Sequence, residues 1–278
     1  MMRPQSKLKQ RLFRIVMLAV LIPMTMIGYM WAFQENFLFH PHKDRMNELQ
    51  SLSHESEVIW LESKGQKIHS LFIRNKISNT LLLYFHGNAG TISNPWARVS
   101  DELATKLGVS IWLVDYPGFG LSEGSISDQK QLMDIAETMF DKIPEQGPFE
   151  KVIVMGRSMG TGVASQLAAS RKSEIAAVIL EAPYASLKQL VKQRVPWVPS
   201  MLLRYPFESQ SALKDYPGPA LILHGSKDDV IPVTHGRELA ASRDSSLNTY
   251  LEVEGAHHDN LASYPEYWMA ISWLLKKI

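Results

Sequence analysis

The chain has no cysteine in its 278 residues. That absence excludes disulfides, thiolate metal sites and a cysteine nucleophile, and it fits a reducing or an oxidising compartment equally. There is no H-E-x-x-H pair, no internal repeat and no low-complexity tract, so a helix-borne zinc site, a solenoid and a disordered linker lose their usual signatures. Acidic residues are missing from the first fourteen positions, which carry Arg3, Lys7, Lys9, Arg11 and Arg14. With those five set aside, 24 of the 29 basic residues face 28 acidic ones, so the body is mildly acidic although the formal net charge is +1. Such a balance gives no electrostatic footprint for nucleic acid. At 45% hydrophobic and 21% charged residues, the composition is that of an ordinary globular domain with a large core.

Charge of either sign is also absent from residues 15–33, IVMLAVLIPMTMIGYMWAF. As a helix these nineteen residues span ~28 Å at ~1.5 Å each, close to a bilayer core of ~30 Å. Pro23 and Gly28 are tolerated in a membrane helix. Tyr29, Trp31 and Phe33 stand at the far end, where an aromatic belt belongs. A cleaved signal peptide needs a small-x-small site after the apolar run, and Met30–Gln34 is a poor one. The expected organisation is a basic tail over 1–14, a transmembrane signal-anchor over 15–33, a connector over 34–55 and a globular domain over 56–278. The basic flank precedes the span, which predicts a cytoplasmic N-terminus with the domain across the membrane.

After the connector, residues 57–61 and 67–73 read as a hairpin around Ser63-Lys64-Gly65-Gln66. Short apolar runs at 80–85, 111–114, 151–155, 177–180, 220–223 and 249–253 then alternate with helix-length stretches at 95–107, 128–142, 159–171, 233–241 and 264–276. This pattern predicts a mostly parallel sheet with helices on both faces. In such a sheet, reactive residues belong beyond the carboxyl ends of the strands.

Four chemically loaded segments do follow strand ends. Gly156-Arg157-Ser158-Met159-Gly160 lies between a strand and a small-residue helix, the setting that exposes a serine nucleophile on a sharp turn. His86-Gly87-Asn88-Ala89-Gly90 follows the strand at 80–85. An acyl-transfer site needs two N–H donors for the oxyanion, and Met159 and Asn88 are the candidates. His86 precedes the serine in the chain and reads as a structural loop residue. His224-Gly225-Ser226-Lys227-Asp228-Asp229-Val230-Ile231-Pro232 offers a carboxylate, and Glu254-Gly255-Ala256-His257-His258-Asp259 offers an imidazole. Chemistry alone separates neither Asp228 from Asp229 nor His257 from His258. A metal site at His257-His258-Asp259 is the blander alternative and has no ligand pair at helical spacing to support it.

With these motifs in order, and with Asp115-Tyr116-Pro117-Gly118-Phe119-Gly120-Leu121-Ser122-Glu123-Gly124 among them, the chain from about Gln34 onward resembles the α/β-hydrolase superfamily. Within it, the resemblance is to the N-terminally anchored bud-emergence-like and α/β-hydrolase-domain proteins. It implies the α/β-hydrolase fold with a short cap over about 184–215. It implies a triad in which the acid of H-G-x-x-D falls on Asp228 and the base of G-x-H falls on His257, with Ser158 as nucleophile. Ser158 at the elbow also excludes the aspartate nucleophile of dehalogenase relatives.

The expected activity is hydrolysis of acyl esters or thioesters, lipid-like ones included, through an acyl-enzyme and without metal or organic cofactor. A serine aminopeptidase and a non-catalytic membrane scaffold are the alternatives. The first lacks an assignable acidic site for a substrate ammonium, and the second requires a broken triad. Tyr116, Tyr184 and Trp197 are the candidate substrate contacts. For Tyr116 simple loop packing is the competing and favoured reading; Asp115 reads as structural.

Overall fold

A computed structural model describes residues 4–44 and 51–278. Arg3 of the basic tail and residues 45–50 of the connector lie outside the described residues. Eight strands form one sheet: β1 (Glu55–Ser63), β2 (Gln66–Arg74), β3 (Thr80–Phe85), β4 (Ser110–Val114), β5 (Lys151–Arg157), β6 (Ala177–Glu181), β7 (Ala220–Gly225) and β8 (Asn248–Val253). Their spatial order is β1-β2-β4-β3-β5-β6-β7-β8. β1 pairs antiparallel with β2, and β2 antiparallel with β4; every later pair is parallel. The expected hairpin therefore opens a mostly parallel sheet. Lys64 and Gly65, both at positive φ, make its two-residue turn.

The continuous apolar runs reflect burial on both faces. Along β3, Leu81, Leu83 and Phe85 enter one core while Leu82 and Tyr84 enter the other. β4 divides in the same way, with Trp112 and Val114 on one side and Ile111 and Leu113 on the other. The first core is closed by α4 (Gln129–Asp141), α6 (Gly160–Arg171), α7 (Leu187–Arg194), α8 (Ser209–Asp215) and α9 (Thr234–Ala241), and the second by α3 (Trp96–Leu107) and α10 (Pro265–Lys277). Local chemistry sets helix ends. Asp128 accepts the Gln131 N–H at the start of α4, Ser186 accepts the Gln189 N–H at the start of α7, and Gly108 closes α3 in the left-handed region. The sequence pattern did not resolve α7, α8 or the short α5 (Ile143–Gln146).

At the N-terminus, α1 (Pro4–Ala32) is followed after one residue by α2 (Gln34–Leu38). Within α1, Leu8–Ala32 is long and apolar enough to cross a membrane by length and composition. Residues 38–44 then run along the carboxyl edge of the sheet. The His40 N–H donates to Asn88 O, the Asn88 side-chain amide to Leu38 O, and the Gly120 N–H to His42 O. Because β3 lies between β4 and β5, the chain reverses direction across the sheet at β3, and the crevice opens there.

Candidate active site

Ser158 sits on the turn from β5 into α6 with φ +51°, a left-handed conformation rare for a residue with a Cβ. Its N–H donates to Glu181 O at the end of β6, and its carbonyl accepts from the Thr161 N–H and hydroxyl. The flanking glycines follow from close approach. A Cβ on Gly156 would strike Gly160 O, and one on Gly160 would strike the carbonyls of Phe85 and His86. Gly160→Ala is accordingly expected to destabilise the fold by about 1–3 kcal/mol. Chemical unfolding in detergent measures this, and an unchanged midpoint would contradict the contact.

The structure brings Ser158 and Asp228 together through His258, not His257. His258 Nε2 lies 3.0 Å from Ser158 Oγ, and His258 Nδ1 lies 2.7 Å from Asp228 Oδ2. His257 is exposed, and its N–H donates to Asn260 Oδ1. The correction is one residue of register. β8 ends at Val253, Gly255 turns with φ +79°, and buried Ala256 sits so close that a Cβ on Gly225 would strike its carbonyl. That carbonyl accepts the Lys227 N–H. Ala256 thus takes the inward position over β7, His257 turns out to solvent, and His258 turns back over Asp228.

Asp228 holds its carboxylate with unusual support. Oδ1 accepts the Val230 and Ile231 N–H groups, Oδ2 faces His258, and His224 Nε2 lies 3.3 Å from Oδ2. Burial works to raise the pKa, but the bonds from His224, His258 and Ile231 outweigh it and hold the carboxyl well below the ordinary aspartate range. Sequence reasoning missed His224, which is fully buried and donates to Ile231 O. Its position three residues before Lys227, at a strand end, was visible, but nothing local showed that its ring turns toward Asp228. The neighbouring Asp229 is exposed and contributes only its carbonyl, to Arg194.

Asn88 and Met159 line the same cavity as Ser158. Among the described residues neither backbone N–H has a hydrogen-bond acceptor, although the Asn88 carbonyl and side chain are both engaged by the connector. The loop carrying Asn88 lies against the serine, since a Cβ on Gly87 would sit 3.6 Å from Ser158 Cβ. Two unspent donors beside a hydroxyl are the arrangement that can hold a developing oxyanion.

Of the other candidates, Tyr184 lines the cavity and its hydroxyl donates to Met159 O. Tyr116 does not line it: the ring is buried against His86 and Phe119, and its hydroxyl donates to His86 O. Trp197 does not line it either, lying half exposed between Pro196 and Val198 beyond the end of α7. Asp115 accepts from the Ile92 N–H and faces His69 at 2.8 Å, so it ties β2, β4 and the loop before α3 together. His86 is fully buried, and burial lowers its pKa against the opposing pull of Asp115. Among the described residues no group of three or more His, Asp or Glu is placed to hold a metal ion.

The cavity has a volume of about 320 Å³. Beyond Asn88, Ser158 and Met159 it is walled almost wholly by apolar side chains of α7, of the turn at Ser200–Leu202 and of Val230–Ile231. The N-terminal helices supply the rest of the wall, a contribution no sequence motif had signalled.

Comparison with known proteins gives this arrangement its setting. A family profile described as alpha/beta hydrolase fold matches residues 80–214. The human alpha/beta hydrolase domain-containing protein 17B is 31% identical over 208 residues, covering 74% of this chain and 69% of that one. The Arabidopsis thaliana alpha/beta hydrolase domain-containing protein WAV2 is 26% identical over 280 residues, covering 90% of each chain. Among solved structures, a Pyrococcus furiosus esterase superposes with a TM-score of 0.69 at 19% identity, over 86% of this chain and 97% of its own.

Proposed function

The chain belongs to the α/β-hydrolase family, and we propose that within it the protein is a membrane-anchored serine hydrolase of acyl esters or thioesters. The observation that carries this reading is the continuous hydrogen-bond chain Ser158–His258–Asp228 at the floor of an apolar cavity. In the proposed reaction His258 Nε2 takes the Ser158 proton as Oγ attacks the acyl carbonyl. The Asn88 and Met159 N–H groups hold the tetrahedral oxyanion. Asp228 keeps the proton on His258 Nδ1 and stabilises the imidazolium. His258 then protonates the departing alkoxide or thiolate. Water, deprotonated by the same imidazole, releases the carboxylic acid from Ser158.

The apolar walls support an acyl chain as the group bound. The charge-free run at residues 15–33, most of it within the apolar stretch Leu8–Ala32, supports a single anchor, with residues 34–55 as connector and the hydrolase domain from residue 56. Lys9, Arg11 and Arg14 ahead of the apolar run support a cytoplasmic N-terminus with the domain on the opposite side.

A fluorophosphonate probe tests the reading directly, because it phosphonylates only an activated serine. Purified full-length protein is expected to label, and Ser158→Ala is expected to abolish labelling completely. A folded wild-type protein that does not label, or a Ser158→Ala variant that labels equally, would sink the proposal.

A further inference from the structure

Part of the cavity wall contributed by the N-terminus comes from the long apolar helix α1 itself. Ile27, Met30 and Trp31 of α1 face the same space as Leu190, Val195 and Leu202. A tether joined through a loose linker would not hold these residues in register with a binding site. Here only Phe33 separates α1 from α2, and the junction is locked onto the segment after the Ser200–Leu202 turn. Gln34 is buried, its amide donating to Leu202 O at 3.3 Å and its carbonyl accepting the Arg204 N–H at 2.8 Å. The Arg204 guanidinium donates to Glu35 at 2.7 Å and to Trp31 O at 3.1 Å, and it stacks over the Trp31 ring. Tyr205 donates to the other Glu35 oxygen at 2.7 Å. These bonds fix both the direction in which α1 leaves the domain and the face it turns to the cavity.

Depth follows from helix geometry. Met30 and Ile27 lie two and five residues before the end of α1 at Ala32, or ~3 and ~7.5 Å at ~1.5 Å per residue. With Tyr29, Trp31 and Phe33 as the interfacial belt, Met30 stands within the belt and Ile27 in the outermost hydrocarbon layer just below it. The rim around them is apolar and wet in the isolated chain. Phe37 lines the cavity yet is 52% exposed, and Met201, beside the lining residues Ser200 and Leu202, is 83% exposed. An apolar rim continuous with a membrane helix has the bilayer surface as its natural cover.

We propose, building on the serine-hydrolase reading above, that the substrate is a long-chain acyl ester resident in the bilayer. It enters sideways from the leaflet where α1 ends, and its chain lies against Ile27 and Met30. The membrane helix is then part of the specificity site and not only an anchor.

The test uses full-length protein in phosphatidylcholine vesicles with fluorogenic butyryl and stearoyl esters of one alcohol. Ile27→Trp and Met30→Trp shorten the cavity and are expected to lower the stearoyl-to-butyryl ratio of kcat/KM roughly tenfold, the worth of about two buried methylenes. Met26→Trp, one residue deeper than Ile27 and outside the cavity lining, is expected to keep the wild-type ratio. Wild-type protein supplies an arm independent of any variant's folding. Diluting the vesicles at fixed surface density of stearoyl ester is expected to leave turnover per enzyme unchanged.

An unchanged ratio at both cavity positions, or turnover falling in proportion to dilution, overturns lateral entry while fluorophosphonate labelling of the wild type still upholds the serine hydrolase. Wild-type protein that neither labels nor cleaves the butyryl ester overturns both.

Discussion

His258→Ala is expected to lower kcat on any ester substrate by a factor on the order of 10⁶, whereas His257→Ala leaves kcat/KM within about a factor of two. The contrast is large because the two adjacent rings occupy unrelated environments. His258 is the sole imidazole between Ser158 Oγ and the Asp228 carboxylate, at 3.0 and 2.7 Å, with its side chain only 10% exposed. Without it the serine hydroxyl has no base at attack, and the leaving group has no acid at collapse. The ring of His257 is exposed, and only its backbone N–H is used, by Asn260, so truncation at Cβ removes nothing the proposed reaction employs. Steady-state rates on a short-chain ester, with fluorophosphonate labelling rates as a second readout, decide between them. Collapse in the His257 variant with full activity in the His258 variant would overturn the register found in the structure and the mechanism with it.

This pair of residues also marks where the sequence stopped being informative. The elbow at Ser158 was legible because strand, turn and helix are each written locally: an apolar run to Met155, glycines either side of the serine, then small residues. The sheet was legible for the same reason, since runs such as 80–85 and 220–223 are apolar without alternation, as strands buried on both faces require. The histidine was not. Choosing between His257 and His258 depends on how Ala256 packs against Gly225, a contact between residues 31 positions apart in the chain.

Long-range packing also decided which of the candidate residues line the cavity. The ring of Tyr116 is drawn under the His86 carbonyl by a hydrogen bond to a loop thirty residues earlier. The wall that α1 and α2 provide depends on Gln34 and Glu35 meeting Arg204 and Tyr205, about 170 residues away. Polar residues just after an apolar run look like ordinary interfacial residues until their partners are known. Trp197 drew attention as a large aromatic in the cap, yet its side chain is half exposed while its neighbours Val195 and Val198 line the cavity. A segment built from two short helices and a turn has no periodicity from which its inner face could be read.

Asp228→Asn is expected to lower kcat by about 10⁴ with the fold retained, and Asp229→Asn to have little effect. The reasoning rests on what surrounds each carboxyl oxygen. Oδ1 of Asp228 accepts two backbone N–H groups, from Val230 at 2.9 Å and Ile231 at 2.8 Å. An asparagine must therefore keep its carbonyl there, which places its NH₂ where Oδ2 now faces His258. The amide then donates to His258 Nδ1 and forces the ring proton onto Nε2, against Ser158 Oγ. In that tautomer His258 has no lone pair to take the serine proton, so the geometry survives and the base does not. The same NH₂ would also meet His224 Nε2, whose own proton is directed at Ile231 O, which leaves two donors face to face.

The comparison belongs at neutral pH, where the linkage is simple. A carboxyl whose folded-state pKa is depressed, as here, contributes its full stabilisation above the ordinary aspartate value of about 3.9 and loses it only as pH falls through the lower folded-state value. Wild-type Asp228 is thus fully ionised throughout the assay range, and the rate difference reports tautomer control and imidazolium stabilisation alone. A kcat for Asp228→Asn within a few-fold of wild type, with Asp229→Asn impaired instead, would move the acid to the neighbouring residue and remove the reason for the buried bonds to Val230, Ile231 and His224.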